Sequence, residues 1–383
     1  MRVYGSDAIR NVAFVGHGGS GKTTLVDALA FVSGASRRHG NIKDGTTLTD
    51  YTPDEIARQH SISLGLAYAE WMDTKLNLLD TPGYLDFFGE VVTGLHAADA
   101  AVVVVSGVSG VEVGTEKAWE VCDRLHLPRL IFVGQMDKEH ANFERVFADV
   151  KAHLSPKVLP VEVPIGEGST FRGIVNLFSG KSHIYKPGTK SGEYDEVDVP
   201  AEHQAEVKKY SDLLIETVAA TDDALVERYL GGEEIPREEV IAALKKAVVA
   251  GSIVPLFVGS ATLTFGMRAL LTKMVEIFPA AADVPPPVSA PLLGRVFKTT
   301  SEPHVGDVTL FRLYAGTLKN GADVWNAEHE VAEKLNHLSV QQGRERTEVG
   351  VLHAGDIGSV AKLRDTHTGD TFCLRDTPVR LAP

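Results

Sequence analysis

The order of apolar and polar positions divides this chain into stretches of different character. In the first half, short apolar runs that stop at glycine or an acidic residue alternate with segments whose apolar residues recur at helical spacing. NVAFVG (11–16), LNLLD (76–80), AAVVVVSG (100–107), RLIFVGQMD (129–137) and, later, SIVPLFVGSA (252–261) read as buried strands. GKTTLVDALAFVSG (21–34), closed by Gly34, GTEKAWEVCDRLH (114–126) and GMRALLTKMVEIFP (266–279) read as helices. Such alternation predicts an α/β unit with a mostly parallel sheet and helices on both faces. Ligands of such sheets sit at the carboxyl ends of the strands.

Between about 156 and 250 the pattern changes to short strands with glycine turns, then polar-faced helices, which predicts an α+β insert within a first domain spanning 1–280. PAAADVPPPVSAP carries three consecutive prolines that hold the chain extended, so a linker is expected over 281–290. From 291 to 383, Val/Thr/Leu-rich runs at short spacing with glycine turns predict a small all-β barrel.

Composition narrows the function classes. The net charge of −13 excludes a generally basic nucleic-acid-binding surface, so any RNA contact needs a local patch. The insert holds 17 Asp/Glu against 11 Lys/Arg, which fits either a solvated acidic face or a docking surface for a basic partner. Cys122 and Cys373 form no CxxC pair, so a reducing compartment is expected and no zinc ribbon. With no signal pattern and no membrane-length run, the expectation is a cytoplasmic, monomeric protein with neither membrane nor DNA as a partner. The histidines, His17 and His140 among them, lack a metal-ligand spacing such as HExxH and read as ordinary polar residues.

The chemistry concentrates in two stretches. Gly16-His17-Gly18-Gly19-Ser20-Gly21-Lys22-Thr23 fits G-x-x-x-x-G-K-[ST] between a strand and a helix, the context a phosphate loop requires. Its glycines let successive N–H groups point inward, and the helix N-terminus adds partial positive charge. Lys22 is expected on the β and γ phosphates, the Thr23 hydroxyl on Mg2+, and Thr24 in the nucleotide-binding set. In LLDTPGYLDF, Asp80 ends a strand as a Walker-B aspartate would and is a second Mg2+ candidate. Gly83 would offer its N–H to the γ-phosphate, and the aromatic Tyr84 follows.

GHGGSGKTT, DTPGYLDF, MDKEHANF and GSA occur in the order seen in translational GTPases. With the acidic insert, the barrel and YAGTLKNGADV, the chain resembles elongation factor G from about residue 8 onward, and most of all its G-like paralogues, which share a tyrosine after DTPG. The resemblance implies a P-loop G domain, GTP/GDP with Mg2+ as ligands, and the ribosome, its RNA and proteins, as partner. Two loops would be ordered by GTP and released on hydrolysis. The first loop would lie within 38–64, with Ser61 in the place of the family threonine that ligates Mg2+. Ser260 and Ala261 match the motif whose backbone N–H meets guanine O6. Elongation factor G continues through three further domains, so this chain is expected to be a piece of a five-domain parent or a shortened paralogue.

Three departures accompany the resemblance. The base-reading Asn-Lys-x-Asp is Gly134-Gln135-Met136-Asp137 here. Asp137 keeps the acceptor for guanine, Gln135 lays only uncharged methylenes over the base, and Gly134 has no side chain to brace the phosphate loop. Each lost charge-assisted contact is worth ~1–3 kcal/mol, so weaker nucleotide binding is expected. Gly19 replaces the family aspartate. Tyr84 replaces the histidine that positions the attacking water, and a neutral phenol is a poor base. The catalytic set is then Tyr84, Lys22 and Gly83. The chain is accordingly expected either to be a ribosome-dependent GTPase that supports translocation, weak or partner-dependent, or a nucleotide-gated ribosome ligand that hydrolyses GTP little or not at all. A general P-loop ATPase is the third reading.

Overall fold

The computed structural model describes residues 2–189, 191–233, 235–302 and 305–382. Its first sheet has strands β1 (Ile9–Val15), β2 (Gly65–Trp71), β3 (Thr74–Asp80), β4 (Ala100–Ser106), β5 (Arg129–Gly134) and β6 (Val158–Pro160). After an inserted sheet of β7 (Glu162–Ile165), β8 (Gly173–Asn176), β9 (Lys181–Tyr185) and β10 (Tyr194–Asp198), the chain returns to the first sheet with β11 (Val254–Val258). The order is β2-β3-β1-β4-β5-β11-β6, all pairs parallel except β2 with β3. Every residue of β1, β3, β4 and β11 is buried, as strands covered on both faces require.

The helices are α1 (Lys22–Val32), α2 (Pro53–Arg58), α3 (Phe88–Ala97), α4 (Val113–Arg124), α5 (Phe143–His153), α6 (Gln204–Ala219), α7 (Asp223–Leu230), α8 (Arg237–Val249) and α9 (Met267–Ile277). The expected strands and helices of the first half are all present, with shifted ends. Two features escaped the sequence pattern. β2 pairs with β3 through a hairpin whose central residues, Met72 and Asp73, both have left-handed φ (49° and 56°). Met-Asp lacks the Asn-Gly signal that such turns usually show. β6 falls within the stretch from about 156 where the sequence pattern predicts the insert, yet it pairs with β11 in the main sheet, so the inserted sheet begins only at β7.

After a single 3-10 turn at Ala281–Asp283 and the proline segment, the remaining strands are β12 (Leu293–Glu302), β13 (Gly306–Ala315), β14 (Thr317–Lys319), β15 (Asp323–Asn326) and β16 (Val331–Lys334). β17 (Ser339–Gln342), β18 (Glu345–Glu348), β19 (Val351–His353), β20 (Ile357–Ala361) and β21 (Thr371–Cys373) complete them. All their pairings are antiparallel, and Val296, Phe311, Leu313 and Phe372 are among the fully buried residues of a separate apolar core. The Ala281 end of the expected linker is not free chain, because Ala281 is buried against Tyr4 and Ile9.

One topological fact positions the site. β1 lies between β3 and β4, so the connection out of β1 leads to one side of it and the connection out of β3 crosses to the other. A switch point of this kind opens a crevice at the carboxyl end of the central strand. There the loop 16–21 begins.

Candidate functional site

The loop between β1 and α1 curls because three of its glycines adopt left-handed φ: Gly16 at 145°, Gly19 at 82° and Gly21 at 97°. Lys22 folds back over it, its Nζ donating to Gly16 O (3.0 Å) and His17 O (2.7 Å). Burial lowers the Lys22 pKa to about 8, against the opposing attraction of Asp80. Ser20 and Thr23 are buried, and Thr24 lines the same cavity. The His17 ring turns away, its Nδ1 accepting the Gly114 N–H (3.1 Å) at the start of α4, which leaves His17 to serve the loop through its backbone.

Asp80 faces this loop because β3 runs beside β1 with Asp80 opposite Phe14. Thr81 ties the following turn to β1 through its hydroxyl on Phe14 O (2.7 Å). A Cβ at Gly83 would collide with Lys22 Nζ and the Gly18 amide, so only glycine fits there. The loop after α1 comes in from the other side. Asp27 accepts the Gly40 and Leu48 N–H groups, and Thr52 and Glu55 form a capping box at α2. Glu55 also accepts the Ile62 and Ser63 N–H groups (3.2 and 3.3 Å). Gln59 takes a left-handed φ of 56°, and Ser61 lands with its Oγ 3.0 Å from Thr23 Oγ1.

These elements assemble a cluster of hard oxygen donors: Thr23, Ser61, Asp80 and Asp50. Asp80 Oδ2 accepts from Thr49 (2.5 Å), while Asp80 Oδ1 and both oxygens of Asp50 are buried without a hydrogen-bond partner among the described residues. Burial and then the charge of Asp80 push the Asp50 pKa up to about 8. Burial raises Asp80 to about 6, opposed by the Thr49 and Thr23 hydroxyls. Three orphaned carboxylate oxygens beside two hydroxyls fit a small divalent cation, for which oxygen ligands and carboxylates are the preferred set. Asp50 was not singled out from the sequence: it stands alone in LTDYTPDEI, and only the folding of its loop onto Asp80 gives it a role.

At the far end of the crevice β5 and β11 run side by side, so the base motif after β5 meets the motif after β11. Asp137 Oδ1 is buried without a partner among the described residues, an acceptor aimed at no protein donor. The Ser260 N–H is committed to Phe265 O (3.0 Å), which leaves the Ala261 N–H as the backbone donor of this pair. Gln135 makes contacts that its place in the base motif does not announce. Its Nε2 donates to Gly19 O (2.9 Å) and its Oε1 accepts from Ser106 (2.7 Å). The phosphate loop is therefore braced after all, from position 135 where position 134 has no side chain. Only the Gln135 methylenes remain for a base.

Two comparisons decide the family. Over residues 7–280 the chain matches the family described as "Elongation factor Tu GTP binding domain", and over 291–375 the one described as "Elongation factor G domain 2". The chain belongs to the elongation factor G-like translational GTPases. A solved crystal structure of a Thermus thermophilus protein superposes with a TM-score of 0.88 at 35% identity, covering 98% of this chain and 56% of that one. This translational GTPase chain thus spans a little over half the length of that relative.

Tyr84 follows Gly83 at the mouth of the same cavity. It is 43% exposed, so it is not a core aromatic. A Cβ on Gly18 would come within 2.9 Å of its Cζ, which puts the ring flat against the phosphate loop. His60 meets the ring edge-on at 4.7 Å between centroids. His60, Tyr84, Gly83, Lys22, Asp50 and Ser61 all line one cavity of about 130 Å3. Nothing in the sequence pattern points to His60, which neighbours Tyr84 only in space.

Proposed function

We propose that this chain binds GTP and GDP with Mg2+ and acts in the cytoplasm as a nucleotide-gated switch on the ribosome, with hydrolysis that is slow until the ribosome completes the site. The observation that carries this reading is the pairing of an intact phosphate and cation cluster with a phenol, not an imidazole, at position 84. Gly83 and Ser61 stand where GTP would be sensed. Thr23, Ser61, Asp80 and Asp50 would hold Mg2+, which would neutralise phosphate charge. Lys22 would hold the phosphates, and the buried, unpartnered Asp137 oxygen would accept from guanine N1–H and its 2-amino group. That carboxylate would repel the adenine N1 lone pair, so guanine is favoured over adenine. Tyr84 can orient a water through its hydroxyl but is a poor proton acceptor at neutral pH.

The second reading, a ribosome ligand with little or no GTPase activity, is favoured by the same tyrosine. Completion of such sites by a partner is worth about 10^3–10^5 in rate, so a missing water-positioning group leaves only slow intrinsic turnover. The deciding experiment titrates GTP, GDP and ATP with Mg2+, then measures phosphate release with and without ribosomes. Tighter ATP than GTP binding would refute the guanine assignment. Strong ribosomal stimulation of phosphate release supports the first reading, and its absence supports the second.

A further inference from the structure

On the β domain, far in sequence from the phosphate loop, two turns bring together His329, His367 and Asp370. His329 lies between β15 and β16, and the other two between β20 and β21. His329 Nε2 is 3.4 Å from His367 Nδ1 and 3.4 Å from Asp370 Oδ2, and His367 Nδ1 is 4.0 Å from the same oxygen. We infer that this triad is a transition-metal site, with Zn2+ as its natural class of ligand.

The spacing argues for tetrahedral coordination. Ligand atoms bound to zinc at their usual bond lengths lie ~3.4 Å apart at tetrahedral angles, and ~3.0 Å apart on an octahedral face. Two of the three separations already match the first figure, and the third closes to it by a shift of ~0.5 Å in an exposed histidine. Two imidazoles and one carboxylate are a borderline-soft donor set suited to zinc and unlike the all-oxygen sets that Mg2+ prefers.

The surrounding bonds hold the ligands in place. Asn326 is fully buried between the two turns. Its Oδ1 accepts the His329 N–H (3.2 Å), and its Nδ2 donates to Asp370 Oδ2 (2.8 Å) and to Asp365 O (3.2 Å). One side chain thus orients both ligand-bearing segments, as the outer partners of metal ligands do. The His367 N–H also donates to Asp370 Oδ2 (2.7 Å), so the oxygen that faces the histidines is held by two hydrogen bonds that a bound metal would share. The neighbouring carboxylates are otherwise occupied: Glu328 by Thr371, Glu333 by the 364–366 segment, and Glu330 by Arg380. The histidine side chains are 42% and 68% exposed, so the fourth coordination position faces solvent and takes a water. Spacing along the sequence does not show this site, because its ligands come from two turns and not from one helix.

The test titrates ZnCl2 calorimetrically into the 383-residue chain, with excess Mg2+ present to hold the nucleotide site. Co2+ is then substituted and its visible absorption recorded. One zinc per chain, the intense visible bands of tetrahedral Co2+, and a loss of about tenfold or more in affinity in both His329→Ala and His367→Ala are expected. Circular dichroism checks that the variants fold, and His367→Asn serves as the milder replacement if the alanine variant does not. Zinc affinity that is the same in wild type and in the histidine variants, or weak octahedral-type Co2+ absorption, would overturn the assignment.

Discussion

Replacing Asp356 tests whether the two domains are locked together by buried charge. Lys75 on β3 donates to Asp356 Oδ1 at 2.7 Å, with the two side chains 1% and 7% exposed. The same oxygen accepts from Asn77 Nδ2 (3.1 Å) and from the Ile357 N–H (2.8 Å). Asn77 continues to Asn11, Asn11 to Asp99, and Asp99 to Arg312 of β13. Asp356→Ala therefore takes one acceptor from three donors, one of them a buried ammonium. Breaking one side of a buried pair costs ~3–5 kcal/mol, because the surviving charge has no compensation. A stranded N–H adds ~1 kcal/mol. Urea unfolding followed by tryptophan fluorescence should show the first transition destabilised by roughly 4–6 kcal/mol. The double variant Lys75→Met/Asp356→Leu removes both charges and should recover most of this, since apolar replacements of buried pairs are often neutral. A single-variant cost under ~1 kcal/mol, or a double variant no better than the single, would refute the reasoning. β1 and β3 both end in the nucleotide site, so the strands that carry this network lead from the β domain to that site.

Four further outcomes follow from the site. Gln135→Ala removes the hydrogen bond to Gly19 O and the one from Ser106 that anchors it, a loss of ~1–3 kcal/mol, and should weaken fluorescent GDP binding about 5- to 150-fold with little change in thermal stability. Asp50→Asn should raise the Mg2+ concentration needed for half-maximal GTP binding, while leaving Mg2+-free GDP binding near that of wild type. Tyr84→His should raise ribosome-stimulated phosphate release if the phenol is the brake, and flat rates would move the deficit elsewhere in the site. Lys298 on β12 holds Ser63, Leu64 and Glu90 together. Lys298→Met removes the cation beside the half-buried Glu90 carboxylate, leaving it the Leu64 N–H and the Ser63 hydroxyl, and should increase hydrogen exchange at 61–64, readable by mass spectrometry.

The parts of the site that were legible in the sequence are those whose chemistry is contiguous along the chain. The phosphate loop is recognisable because glycines, lysine and threonine must follow one another to wrap a phosphate. Asp80 and Gly83 are legible because the strand end and its turn are one segment. Ser61, assigned by resemblance, does reach Thr23. Asp50, His60 and the Gln135 brace were hidden, because each acts on a partner from another part of the chain: Asp80, Tyr84 and Gly19. The β2 hairpin was hidden for a different reason, since Met-Asp carries no turn signal. The edge strand β6 was obscured by its closeness in sequence to the insert.

Position 135 shows how the departures fit together. A brace on the phosphate loop needs a side-chain amide within reach of Gly19 O. With glycine at 134, the amide comes from the next residue, and the backbone there adopts a left-handed φ of 61°. For a residue with a Cβ that conformation costs ~1–2 kcal/mol, which the loop bracing must offset. The same move commits the side-chain amide, so base recognition falls on Asp137 and on the backbone N–H of Ala261. On the proposed reading, selectivity for guanine over adenine would rest on Asp137. Affinity would then be lower than where several charge-assisted base contacts are made. A loop held by Gln135 at the expense of base contacts would favour a switch whose occupancy follows nucleotide concentration over one that is permanently loaded.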